Sequence, residues 1–186
     1  MARPGRFLRK RAPARVALML AEGEERLLRD LLGQVLELVA PDQPAESDPL
    51  AAMVGIGTAT AVSPDPVLAR LFPDAYADDA EAAGDFRRYT EPGLRARKHA
   101  AVVEALAVLD RPPAGRGRER VLSADEAMAW MGALNDLRLA LGTRLDVAED
   151  WAEQLAALDD DDPRALLLAL YDWLSWLQET LVRALP

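Results

Sequence analysis

The stretch Ser123 to Gly142, SADEAMAWMGALNDLRLALG, constrains this chain more than any other, because a helix start, an apolar face and a helix stop fall in one run. Ser123 followed three residues later by Glu126 has the form of a capping box, in which each side chain satisfies a free backbone N–H of the first turn. Gly142 is expected to close the helix by taking the left-handed conformation. At roughly 100° per residue, Ala127, Trp130, Leu134, Leu137 and Leu141 form one stripe, and Met128 and Leu139 lie on the far side. Asn135, Asp136 and Arg138 make a polar cluster, with Asn135 and Arg138 caught between the two apolar faces. A buried, unpaired guanidinium is destabilising by several kcal/mol, so Arg138 needs a carboxylate. Asp172 of the last helix is the expected supplier. Asn135, Arg138 and Asp172 are thus read as a structural polar core that fixes the register of two helices, with a ligand or partner site as the alternative.

Other helices follow from the same periodicity. Leu27, Leu28, Leu31, Leu32, Val35, Leu36 and Val39 space an amphipathic helix over 22–39, with acids in its first turn to suit the macrodipole. Asp65 is a helix N-cap with Pro66 at the first helical position, and VLARLF stops before Pro73. A helix over 78–89 is expected to end, with Thr90 as the N-cap of the next one, which runs to about Asp110. A short helix holds Trp151, Leu155 and Leu158. The acidic run Asp159 to Asp162 lacks the alternating ligands, glycine and distal glutamate of a calcium loop, so Asp162-Pro163 reads as the start of the last helix, 164–185. That helix is apolar around most of its circumference and is expected to be buried on nearly all sides or to pack on a second subunit.

RFLRK and RVALML are expected to pair as a hairpin turning at 11–14. PDQPAESDP, and RPPAGRGRER with its four arginines, read as exposed loops at about 40–49 and 110–122. Residues 50–62, LAAMVGIGTATAV, have two glycines but neither a Gly-Lys-Ser/Thr nor a complete GxGxxG, so a short buried helix or flexible segment is expected there rather than a phosphate loop. The fold class is therefore mainly α: a single-domain bundle of about six helices (22–186) with a small N-terminal β-hairpin in a basic arm (1–21).

For function the residues mostly exclude. The net charge of −9 repels nucleic acid and anionic membranes unless a local basic patch overrides it. Two such patches exist. Residues 1–15 hold six basic residues and no acid, and Arg87, Arg88, Arg95, Arg97 and Lys98 gather around Thr90. The latter five are candidate partner-binding residues, against the plainer reading of a solvated face balanced by Glu81, Asp85 and Glu91. His99, the sole histidine, has no companion for a zinc site. No nucleophile has the base and orienting group that catalysis requires, so no catalytic residue, metal or cofactor is expected and the chain is read as non-enzymatic. The absence of cysteine removes disulfides and thiol redox chemistry. No apolar run reaches membrane-spanning length, and a cytoplasmic location without membrane contact is expected.

Three blocks, FRRYTEPGLRARK at 86–98, ALNDLRLALGTRLD at 133–146 and LYDWLSWLQETLVRAL at 170–185, carry a resemblance over almost the whole chain. The sequence resembles an actinobacterial family, formerly a domain of unknown function, now described as AosR-like oxidative-stress transcriptional regulators. The resemblance implies a cytoplasmic regulator acting through protein partners, among them a sigma factor of the extracytoplasmic-function type, with promoter DNA as a further candidate contact. The redox switch that the family implies uses a cysteine pair, which this chain does not have. A homodimer is expected. Two other readings stand beside this one: an adaptor or structural module linked to proteolysis or sulfur metabolism without DNA contact, and a small-molecule-binding domain with its pocket near Arg138.

Overall fold

A computed structural model describes residues 5–11, 14–41, 61–76, 78–114, 119–159 and 162–185. Six helices and three strands are present among them: β1 (Arg6–Arg11), β2 (Ala14–Met19), α1 (Glu22–Leu38), α2 (Pro66–Leu71), α3 (Ala80–Asp110), β3 (Glu119–Leu122), α4 (Ala124–Arg144), α5 (Trp151–Ala157) and α6 (Pro163–Ala184). The mainly helical class and the N-terminal hairpin are as the sequence indicates. The expected reading of 50–62 and most of the 40–49 loop fall within 42–60, outside the described residues.

The helix α4 is the hub. Ser123 Oγ accepts from Glu126 N while Ser123 N donates to the Glu126 carboxylate, completing the capping box. From there α4 touches α1, α2, α3, α6 and the sheet. Ala127, Trp130 and Leu134 are fully buried on its inner stripe, and Phe7 of β1 meets the Trp130 ring edge-on at 5.6 Å. Burying an indole against a phenyl ring stabilises through both apolar area and edge-to-face attraction.

Gly142 does not end this helix. The helix continues to Arg144, and the left-handed residue is Asp146, at φ 51°. What Gly142 provides is room: a Cβ there would lie 3.1 Å from Cε2 of Tyr171, so α4 and α6 approach through the missing side chain.

Two further expectations are corrected. Thr90 caps nothing, because α3 is one helix of 31 residues running through Pro92. Thr90 Oγ1 instead donates to the carbonyl of Phe86, the back-bond that threonine makes inside a helix. The proline removes a helical hydrogen bond and disfavours the helix by about 3 kcal/mol. The Arg95–Glu91 ion pair spans it and ties the two halves together, and Glu91 is held in turn by Arg87 on its N-terminal side.

The segment 110–122 is not an exposed loop throughout. Its last four residues are β3, which pairs antiparallel with β2 (Val16 opposite Leu122, Leu18 opposite Arg120), giving the sheet order β1-β2-β3. Arg120 is buried rather than solvated: its guanidinium donates to the carbonyls of Leu109 and Arg111 and pairs with Glu25 at 2.8 Å.

α6 starts as expected, with Asp162 accepting from Arg164 N and Pro163 in the first turn. It is buried on one face, not all round. Leu174, Leu177 and Leu181 are fully buried, whereas Leu166 is 78% exposed and Leu167 and Val182 are also exposed. Its main neighbours are β1 and α4, with fewer contacts to α5.

Candidate functional site

The five basic residues of 87–98 share one helix but not one surface. Arg87 is buried and donates to the Phe72 carbonyl, to Asp74 and to Glu91. Burial disfavours its charge, yet the hydrogen bonds it donates to Asp74 and Glu91 hold its pKa above the ordinary arginine value. Arg95 is buried too, bonding Glu91 at 2.7 Å and the carbonyls of Leu38 and Ala40, with its guanidinium 4.3 Å from the centre of the Phe72 ring. One carboxylate, Glu91, thus holds two arginines, one turn to either side of it. Lys98 donates to Asp136 of α4 at 2.6 Å, and Asp136 is buried. Only Arg88, 3.9 Å from Asp85, and Arg97 still face solvent to a substantial degree. The segment is therefore mainly an internal tie between α3, α4 and the chain around Phe72, not the continuous cationic face or the solvated one that the sequence suggests.

The polar core is also rearranged. Asn135 and Asp172 are exposed, and Arg138 pairs with neither. Arg138 does join α4 to α6 as expected, but through neutral acceptors: Nε donates to Ser175 Oγ at 2.9 Å, Nη1 to Gln178 Oε1 at 2.7 Å and Nη2 to Tyr171 Oη at 3.4 Å. The acid that α4 does bury is Asp136, next to the residue singled out. A one-residue step rotates a helical position by roughly 100°, which moves the buried polar role from Asn135 to Asp136.

A groove that sequence reasoning missed lies where the sheet meets the start of α4 and the end of α6. It encloses about 300 Å³ and is lined by Val16, Leu122, Ala127, Met128 and Leu185, with Arg9 and Arg15 at its rim. Met128 is 59% exposed. Arg9 and Arg15 are exposed and form no ion pair among the described residues. The composition, a flexible thioether and aliphatic floor beside two free guanidiniums, is that of surfaces that take protein partners. Met128 was legible only as the far side of a helix; the strands that make it one wall of a groove are remote in sequence.

No cluster of histidine, cysteine or carboxylates able to hold a metal is found among the described residues, and none of their helices is long and apolar enough to cross a membrane.

Residues 3–185 match the family described as a domain of unknown function, DUF2017. The chain belongs to the DUF2017 family. Curated relatives of this DUF2017 chain include the oxidative stress regulator AosR of Mycobacterium tuberculosis (strain ATCC 25618 / H37Rv), 36% identical over 178 residues that cover 89% of the chain and 80% of the relative. The protein of the same name from Mycobacterium bovis matches to the same extent. The putative oxidative stress regulator AosR of Mycobacterium leprae is 34% identical over 200 residues, covering 98% of the chain and 90% of the relative. These relatives are named as regulators. No solved structure matches the chain.

Proposed function

We propose that this DUF2017 chain is a non-enzymatic regulator in oxidative-stress control that acts by docking a protein partner. The observation that carries the reading is the 36% identity over most of the chain to proteins named oxidative stress regulator. The groove at Met128 supports it: an apolar floor with Arg9 and Arg15 at the rim, on a chain of net charge −9, suits an acidic protein segment with an apolar anchor. A component of the transcription machinery, such as a sigma factor, is the partner class proposed. The chain has no cysteine, so its own response to an oxidant passes through no thiol.

The test is deletion of the gene in its host followed by peroxide challenge. Loss of peroxide resistance, restored by the wild-type chain, is the expected result; unchanged resistance would overturn the reading.

A second reading, contact of the hairpin with duplex DNA, is favoured by the exposed Arg9 and Arg15 on adjacent strands. Gel retardation at two salt concentrations separates the two, because phosphate contacts weaken steeply with salt.

A further inference from the structure

Arg87, Arg95 and Arg120 each bond a carboxylate, whereas Arg138 bonds only neutral oxygens. Its guanidinium is held in place without being neutralised. Ser175 is fixed in turn by donating to the Tyr171 carbonyl, and the Tyr171 ring stands 5.3 Å from the Arg138 guanidinium carbon and edge-on to Trp151. Each terminal nitrogen of a guanidinium carries two N–H groups, so one N–H on each of Nη1 and Nη2 of Arg138 has no partner among the described residues.

Arg138 lines a polar cleft of about 320 Å³, together with Arg70 of α2, Gly142, Thr143 and Tyr171. Arg70 is exposed, and its guanidinium has no hydrogen bond or ion pair among the described residues. Asp146, the one acid on the lining, pairs with neither arginine. Gly142 keeps the wall open beside Tyr171, where a side chain would crowd the ring. Two cations with free donors therefore share one cleft on an acidic protein, one of them preoriented by a rigid cage. Such an arrangement matches the forked geometry of a carboxylate or phosphate oxygen pair.

We propose that the cleft between α2, the end of α4 and Tyr171 of α6 binds a small oxyanion, a carboxylate or phosphate, gripped between Arg138 and Arg70. The site goes beyond the regulator reading and stands independently of it.

An NMR titration of the full chain at constant ionic strength tests it, using inorganic phosphate, succinate and a chloride control, and following the backbone amides of Gly142 and Thr143 and the Nε–H of Arg138. Saturable shifts with phosphate or succinate but not chloride are expected, and whichever saturates at lower concentration assigns the ligand chemistry. Arg70→Ala removes no bond of the fold and weakens that binding about tenfold, ~1.4 kcal/mol; Arg138→Gln abolishes it. Shifts that match chloride for both oxyanions, or an unchanged affinity in Arg70→Ala, would overturn the site.

Discussion

The Lys98 ammonium lies 2.6 Å from the Asp136 carboxylate, and the two side chains are 15% and 4% exposed. The pair ties α3 to α4 at the centre of the bundle. Removing one partner of a buried pair leaves the other charge unmatched, at about 3 kcal/mol or more. Asp136→Ala is therefore expected to lower the free energy of unfolding by that amount, and the double variant Lys98→Met, Asp136→Leu by clearly less. Urea denaturation of the three proteins checks the ordering.

Two helical glycines are expected to respond oppositely to a side chain. Nothing lies within 4 Å of a Cβ placed on Gly33, so Gly33→Ala should stabilise by about 1 kcal/mol through helix propensity alone. Gly142→Val should destabilise by about 2 kcal/mol, because its Cβ already meets Tyr171 at 3.1 Å and the ring is packed on Trp151. Thermal melts of both variants read the difference in sign.

The N-cap of α6 gives a pH dependence of definite direction. The side-chain bond from Arg164, with the Arg164 backbone N–H, holds the Asp162 pKa below its ordinary 3.8. The folded state thus favours the ionised carboxylate. Its contribution is fully present above the unfolded value and is lost as pH falls through the lower folded value. Wild type should melt above Asp162→Ala at neutral pH, and the two melting temperatures should converge at strongly acid pH.

Loss of the Ser123 cap is expected to be felt across the bundle, since α4 contacts four other helices and the sheet. Ser123→Ala should cost about 1 kcal/mol, and Ser123→Asp, which also caps, should restore it. Chemical denaturation measures both.

The helices were legible because their signals are local. The capping box at Ser123, Asp65-Pro66 and Asp162-Pro163 each satisfy their own first turn, whatever lies around them. Thr90-Glu-Pro-Gly misled for the complementary reason: it has the form of a helix start, and only packing on both sides of Pro92 decides for continuity. β3 is a four-residue strand whose partner is a hundred residues away, so its alternation has meaning only once β2 is in place. The ion pairs were half legible. Glu91 sits four residues from both Arg87 and Arg95, a spacing visible in the sequence, but that these groups turn inward depends on Phe72 and the end of α1. Arg138 was read as needing a carboxylate, Asp172, on the last helix, whereas its partners there are neutral. Which ones depends on the rotation of α6, which turns Ser175 and Gln178 inward and Asp172 outward.

In the proposed function the partner docks at the groove of Met128 and Arg9, and most of the 87–98 cations are internal ties. Restoration of peroxide resistance in a host lacking the gene tests this most directly. The double variant Met128→Asp, Arg9→Glu changes exposed side chains, and an acid in the first turns of α4 suits the helix dipole, so it should melt as wild type does. It is predicted to leave the cells sensitive, whereas Arg88→Glu, Arg97→Glu restores resistance. Full restoration by the groove variant would contradict the account.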